Sequence, residues 1–193
     1  MPEKSWLSLA GWLAVIEAVL TIPITAFFIY LFINESPVMN LFDSVLSVLG
    51  FFLTLFLLLT LKRVLNARFN FHNVDILIVT ILSLGFLVMF SGLIAQIDEK
   101  MKIFDKIAIL FLIPLGILLI VFGIRLMRLP ENLYGLIKPY CYTLILSGIF
   151  WGSLVLFPLA LLSDIANSII LAMVFFRAAD EEVPLSAVSR PAE

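Results

Sequence analysis

Charged residues are scarce in this chain. Its 193 residues include 12 Lys and Arg and 14 Asp and Glu, together 13% of the sequence, whereas 63% are hydrophobic. Soluble domains carry about twice that charged fraction, and a soluble protein could not place so much apolar surface in one core. The shortage of charge therefore excludes an ordinary soluble domain. The lack of a basic stripe or tail argues against nucleic acid as a partner.

Cysteine and histidine are equally rare. Cys141 is the only cysteine, so the chain has no intrachain disulfide and no cysteine-based zinc cluster. His72 is the only histidine, which excludes haem held between two histidines of one chain. There is also no P-loop, nucleophile elbow or zinc-protease motif. We therefore expect no cofactor and no metal, and the sequence leans away from an enzyme.

Long uncharged runs fill most of the chain. They cover 18–34, 44–61, 76–97, 107–124 and 139–163, with a shorter run at 165–176. A membrane-spanning helix needs roughly 20 such residues. The runs predict an all-α, polytopic transmembrane helical bundle that forms one domain over 1–177. The residues 178–193 are polar and proline-containing, which is typical of a flexible tail.

The first four spans are predicted within 10–33, 40–61, 75–97 and 106–127. The segment 139–176 is harder to interpret, because as one straight helix it would be ~57 Å long and the hydrocarbon core is only ~30 Å thick. We favour a hairpin near Phe157–Pro158 with spans at 139–156 and 159–177, since proline suits the first turn of a new helix. The alternative is one span over 139–162 followed by an interfacial helix, which makes five spans.

The placement of Lys and Arg favours six spans and a cytoplasmic N-terminus. Six spans put nine basic residues on one side and three on the other, whereas five spans give seven against five. The richer side has Lys4, Lys62, Arg63, Arg68, Arg125, Arg128, Lys138, Arg177 and Arg190, and the poorer side has Lys100, Lys102 and Lys106. A prokaryotic cytoplasmic (inner) membrane is the default location for such a loop-poor chain.

Glu17 is the most informative polar residue. It lies inside the first span, where an ionised carboxylate is costly unless it is paired, hydrated or protonated. One interpretation is a ligand or ion site, with Arg125 as a further candidate residue. The other is an ion pair with Arg63, Arg68 or Arg125, all predicted on the same side.

Asp164 is the second such residue. Asn167 and Ser168 follow it at i+3 and i+4, so the three side chains share one helix face. This stripe is either part of a ligand or ion site or a helix cap at the outer interface. We expect Glu17 and Asp164 to lie near opposite membrane faces and not to form a carboxylate pair.

The second cytoplasmic loop, 62–75, is the densest polar patch. Basic groups beside a bilayer attract anionic headgroups, and His72 and Asp75 are close enough in sequence to share a hydrogen bond. The candidate residues for a lipid headgroup site are Lys62, Arg63, Arg68, His72 and Asp75. The alternative is that the patch is only positive-inside charge and a capped turn.

Small residues in the later spans let helix backbones approach closely. Gly148–Gly152 matches the GxxxG pattern, which forms either a dimer face or a packing contact inside one bundle. Pro23 and Pro114 lie inside spans 1 and 4, where we expect them to kink the helices.

Three functions fit these features. The first is a small transporter or channel-like protein with an acidic intramembrane site. The second is a non-catalytic membrane subunit that anchors or assembles a larger complex, and the third is a lipid-active enzyme that uses the Arg/His/Asp patch. The expected partners are membrane lipids, a second copy of the chain or other membrane subunits.

Overall fold

In the computed structural model the chain folds into α-helices, with no strand in the residues described. The structure describes residues 4–33, 37–96, 101, 103–130, 133–153 and 156–181. Of these, only the backbone is described for 25–33, 37–41, 43, 105, 157 and 158. Six helices lie in these ranges: α1 Lys4–Ile33, α2 Pro37–Phe69, α3 Asp75–Ala95, α4 Ile103–Leu126, α5 Ile137–Ser153 and α6 Phe157–Asp180. α6 continues past the predicted domain end at 177, and the rest of the predicted flexible tail, 182–193, lies outside the described residues.

Five of these helices are long and apolar enough to cross a membrane. The spanning segments are Lys4–Ile24, Ser44–Phe69, Asp75–Ala95, Lys106–Leu126 and Leu159–Asp180. Their length and composition are those of an integral membrane protein. The remaining helix, α5, has 17 residues and is therefore ~26 Å long, slightly less than the ~30 Å of a hydrocarbon core.

The chain turns back between α5 and α6, where the sequence predicts a hairpin. α5 ends at Ser153, and α6 begins at Phe157 with a proline in its first turn. The Ser153 hydroxyl accepts a hydrogen bond from the backbone N–H of Leu156 at 3.1 Å, which helps to close the turn. A single span over 139–162 is therefore wrong, because these residues are divided between two helices.

Each helix packs against its neighbours in the chain, and α6 packs against α1. The helices thus form a closed ring in which neighbours run antiparallel. We call one end of the ring the basic end, where α1, α3 and α5 begin and α2, α4 and α6 end. Its described basic residues are Lys4, Lys62, Arg63, Arg68, Arg125, Arg128, Lys138 and Arg177.

α2 is longer than the sequence predicts, because it continues eight residues beyond 61 to Phe69. Leu61, Val64 and Leu65 are fully buried, and their i, i+3, i+4 spacing places them on one helix face. Burial of these apolar side chains keeps the segment helical despite its polar neighbours. Most of the predicted second loop, 62–75, is thus helix.

The hydrophobic core lies in the half of the ring that includes the basic end. Its fully buried members include Leu7, Ala10, Ala14, Leu61, Val64, Leu65, Ile78, Phe122, Leu126, Leu133, Cys141, Val174, Phe175 and Ala178. By contrast, none of the described hydrophobic side chains between 19 and 56 is buried. The two ends of the ring therefore differ strongly in packing.

α4 and α5 meet through glycine. A Cβ atom on Gly148 would lie 2.5 Å from the Gly116 carbonyl oxygen, and one on Gly116 would lie 2.7 Å from the Gly152 nitrogen. Real Cβ atoms do not come so close to backbone atoms. The GxxxG pattern therefore serves a helix contact inside one chain. Pro23 and Pro114 both lie within their helices, α1 and α4.

Candidate functional site

Glu17 lies on the α1 face that packs against α6. Ala10 and Ala14 are buried on the same face, and their small side chains let the two helices approach closely. Thr54 in α2 donates a hydrogen bond to one carboxylate oxygen of Glu17 at 2.7 Å. Ser168 in α6 donates to the other oxygen at 2.8 Å. Glu17 therefore joins three helices through its side chain.

A second group of polar side chains joins α5 to α6. Thr143, Ser147 and Trp151 are four residues apart in α5 and so lie on one helix face. The indole N–H of Trp151 donates to the Asp164 carboxylate at 2.9 Å. The Thr143 hydroxyl donates to the side-chain oxygen of Asn167 at 2.5 Å. The predicted Asp164/Asn167 stripe is thus bonded to a matching stripe on α5.

Ser147 is the centre of this group, and its side chain is buried. Its hydroxyl donates to Asp164 and accepts a hydrogen bond from the Asn167 amide at 3.2 Å. The Ser163 hydroxyl oxygen lies 2.7 Å from the Ser147 oxygen. One hydroxyl thereby connects three α6 side chains.

The two acidic residues belong to the same part of the ring, so the expectation of opposite membrane faces is wrong. α1 begins at Lys4, and Glu17 is therefore ~20 Å from the start of its helix. Asp164 precedes Ser168, the partner of Glu17, by one helical turn.

Asp164 is also not a helix cap, since α6 begins seven residues earlier, at Phe157.

We call the polar residues around Glu17 and Asp164 together the acidic cluster. Its members are Glu17, Thr54, Thr143, Ser147, Trp151, Ser163, Asp164, Asn167 and Ser168.

No basic side chain among the described residues forms an ion pair with Glu17 or Asp164. The alternative, an ion pair of Glu17 with an arginine, is therefore not seen there. Arg125, a predicted site residue, lies at the basic end and donates to the Asn73 carbonyl at 3.3 Å, apart from the acidic cluster. The two acids are instead surrounded by hydroxyl, amide and indole groups.

The predicted headgroup residues divide into two sets. Arg63 and His72 are exposed at the basic end, and Lys62 is partly exposed. Asp75 accepts hydrogen bonds from the Asn66 amide at 2.9 Å, and its carboxylate lies 3.1 Å from His72 Nδ1. The predicted contact between His72 and Asp75 is thus confirmed.

Arg68 points into the protein, and its side chain is only 14% exposed. It donates to the hydroxyl of Tyr134 and, at 2.5 Å, to the carbonyl of Ala178, and it lies 3.8 Å from Glu181. Burial raises the pKa of Tyr134 above its ordinary value, although Arg68 opposes the shift. The phenol therefore stays protonated near neutral pH.

Sequence reasoning missed Thr54, Trp151 and Tyr134. Thr54 interrupts an apolar run, and Trp151 follows Ser147 by four residues, but neither feature identifies a partner. Their partners lie on other helices, so the contacts exist only after the ring has closed.

No protein-family model, curated protein or solved structure matches the chain. The geometry of the site is therefore the basis for its function. Whatever the acidic cluster does must be argued from its own chemistry.

Proposed function

We propose that the chain is a small transporter or channel-like protein in which the acidic cluster binds protons or another cation on their way across the membrane. One observation carries this proposal. Glu17 and Asp164 lie at contacts between neighbouring helices, with hydrogen-bond donors around them but no basic partner among the described residues. An ionised carboxylate at this depth costs several kcal/mol unless a positive charge accompanies it.

Other features of the acidic cluster support this proposal. Thr54 is exposed, so its hydrogen bond to Glu17 lies at the accessible edge of the acidic cluster. Glu17 is bonded to Ser168, and Asp164 and Asn167, one helical turn or less before Ser168 on α6, are bonded to each other through Ser147. Such chains of acids and hydroxyls are typical of proton and cation pathways in membranes.

We further propose six membrane crossings with the basic end in the cytoplasm. The antiparallel α5–α6 hairpin supplies the fifth and sixth crossings, and α5 needs only slight local thinning of the bilayer. The excess of Lys and Arg at the basic end supports the orientation.

The lipid-active enzyme is less well supported, since Arg68 and Asp75 are already bonded to protein groups. The non-catalytic subunit remains the main competitor, and it predicts that the chain is extracted together with other membrane proteins.

The first experiment measures ion flux in proteoliposomes containing the purified chain. A potassium diffusion potential drives the flux. In one series a pH-sensitive dye reports proton flux, and in a second series the flux of sodium is measured instead. We expect flux with the native chain and a fall to the level of protein-free vesicles with Glu17→Gln, which removes the titratable group and keeps its size.

Asp180→Asn is the matched control, because Asp180 is exposed at the end of α6, far from the acidic cluster. It should conduct like the native chain. Equal flux in Glu17→Gln and the native chain would contradict the proposal. No flux from the native chain, together with a stable complex containing other subunits after mild extraction, would establish the subunit function instead.

A further inference from the structure

We propose that Arg68 latches the basic end of the ring shut and so controls exchange between the acidic cluster and that side of the membrane. The nature of what is exchanged rests on the proposed function. The latch itself rests on contacts at the basic end and can be tested without any flux.

Arg68 connects α2 with the α4–α5 connection and with the end of α6. It extends from the end of α2 to the hydroxyl of Tyr134 in the α4–α5 connection, to the carbonyl of Ala178 in α6, and towards Glu181 just beyond α6. Its guanidinium also lies 5.9 Å from the centre of the Tyr134 ring. A guanidinium can hold several acceptors at fixed angles, so one side chain ties these elements together.

The turn that Arg68 holds has an unusual backbone. Leu133 and Tyr134 have positive φ angles of 29° and 57°, followed by Gly135 at 82°. Residues other than glycine rarely adopt such angles. Arg177 adds a second tether by donating to the Tyr134 carbonyl. Contacts from α2 and α6 thus keep the turn in a conformation that it would not favour alone.

Five buried members of the hydrophobic core, Leu65, Leu126, Leu133, Cys141 and Phe175, are called the apolar seal here. Leu65, Leu126, Leu133 and Phe175 are fully buried there, each from a different part of the chain. In the other half of the ring, the described hydrophobic side chains of α1 and α2 from 19 to 56 are not buried.

This asymmetry points to a gate at the basic end. For a proton or cation at Glu17 to leave on that side, the seal must separate, and the α4–α5 turn must move away from α2 and α6. Each Arg68 contact opposes that movement. Weakening them should raise the fraction of molecules in which the basic end is open.

The chain carries its own reporter of this opening. Cys141 is its only cysteine, is fully buried in the seal and lies ~6 Å below the start of α5. In the closed ring, neither water nor lipid reaches its sulfur. The rate at which N-ethylmaleimide modifies Cys141 therefore measures how often the basic end opens.

The experiment compares this rate in purified full-length protein, using intact mass spectrometry. Arg68→Lys keeps the positive charge but loses the planar fork, and we expect about tenfold faster modification, the change expected if a minor open state rises from ~1% to ~10%. Glu181→Gln weakens the latch from the other side and should give a smaller increase. Arg63→Lys makes the same chemical change at an exposed position of the same helix and should behave like the native chain.

Each variant is checked by size-exclusion chromatography and circular dichroism, so that unfolding is not mistaken for opening. If Arg68→Lys does not fold, the comparison of Glu181→Gln with Arg63→Lys decides. Native-like modification in folded Arg68→Lys and Glu181→Gln would overturn the latch, as would rapid modification of the native chain. Faster modification in Arg68→Lys with no effect of Glu17→Gln on flux would keep the latch and reject the transport function.

Discussion

Single hydroxyl groups support the two partly buried acids of this protein. Ser147 supplies a donor to Asp164 and an acceptor to Asn167 from inside the α5–α6 interface. Ser168 and Thr54 each donate a hydrogen bond to Glu17, from two other helices. At the residue scale, the acidic cluster therefore depends on side chains that a list of charged residues does not contain.

Replacing Ser147 with alanine should destabilise the fold. Asp164 would lose a donor and Asn167 an acceptor at the buried Ser147 position, and leaving hydrogen-bond partners unsatisfied in a buried interface costs roughly 1–3 kcal/mol. We expect the free energy of unfolding to fall by about that amount, measured in detergent micelles by following the loss of helical circular dichroism.

Ser83→Ala is the matched control, since Ser83 is exposed on α3, and a surface change of this kind shifts stability by less than about 0.5 kcal/mol. Equal stabilities of the two variants would show that the Ser147 hydroxyl contributes nothing to the interface.

Pairs of helices are held by different means around the ring. α4 and α5 touch backbone to backbone at Gly116, Gly148 and Gly152, whereas α5 and α6 are joined through polar side chains. α1 and α6 combine both, with buried alanines beside Glu17. At the scale of elements, the small-residue pattern predicts close packing correctly but does not say which helix is the partner.

Gly148→Ala should separate α4 from α5. The added Cβ would lie 2.5 Å from the Gly116 carbonyl oxygen and 3.0 Å from the Ile120 nitrogen, and overpacking of this kind costs about 1–3 kcal/mol. Thermal unfolding should therefore occur at a lower temperature than in the native chain.

Gly92→Ala provides the opposite case, because no atom lies within 4 Å of its added Cβ. Alanine is the better helix former by up to ~1 kcal/mol, so this variant should be as stable as the native chain or more stable. A lower stability of Gly92→Ala than of Gly148→Ala would contradict the packing described for α4 and α5.

As a whole, the molecule is a ring with two unlike ends. Apolar packing, most of the basic residues and the Arg68 contacts all lie at the basic end. The acidic cluster lies deeper, next to the half in which the described hydrophobic side chains of α1 and α2 from 19 to 56 are not buried.

Whether the number of membrane crossings is even or odd decides whether the two termini lie on the same side of the membrane. Six crossings would place both termini on one side, and the charge bias predicts that this side is the cytoplasm. A protease applied to sealed vesicles from the outer side should therefore leave tags at both termini intact, while cutting a site inserted at 98–102. Cleavage of only the C-terminal tag would indicate five crossings.

The sequence by itself determined the class of this protein, most of its helices and the turn before Phe157, because these follow from apolar run length and from proline. It also identified Glu17 and Asp164, since a charged residue inside a long apolar run can be recognised from the sequence alone. Only the tertiary structure decided that both acids join one cluster, that Thr54 and Trp151 bind them, and that Arg68 turns inward. Those features depend on which faces of distant helices meet, and no local pattern encodes that choice.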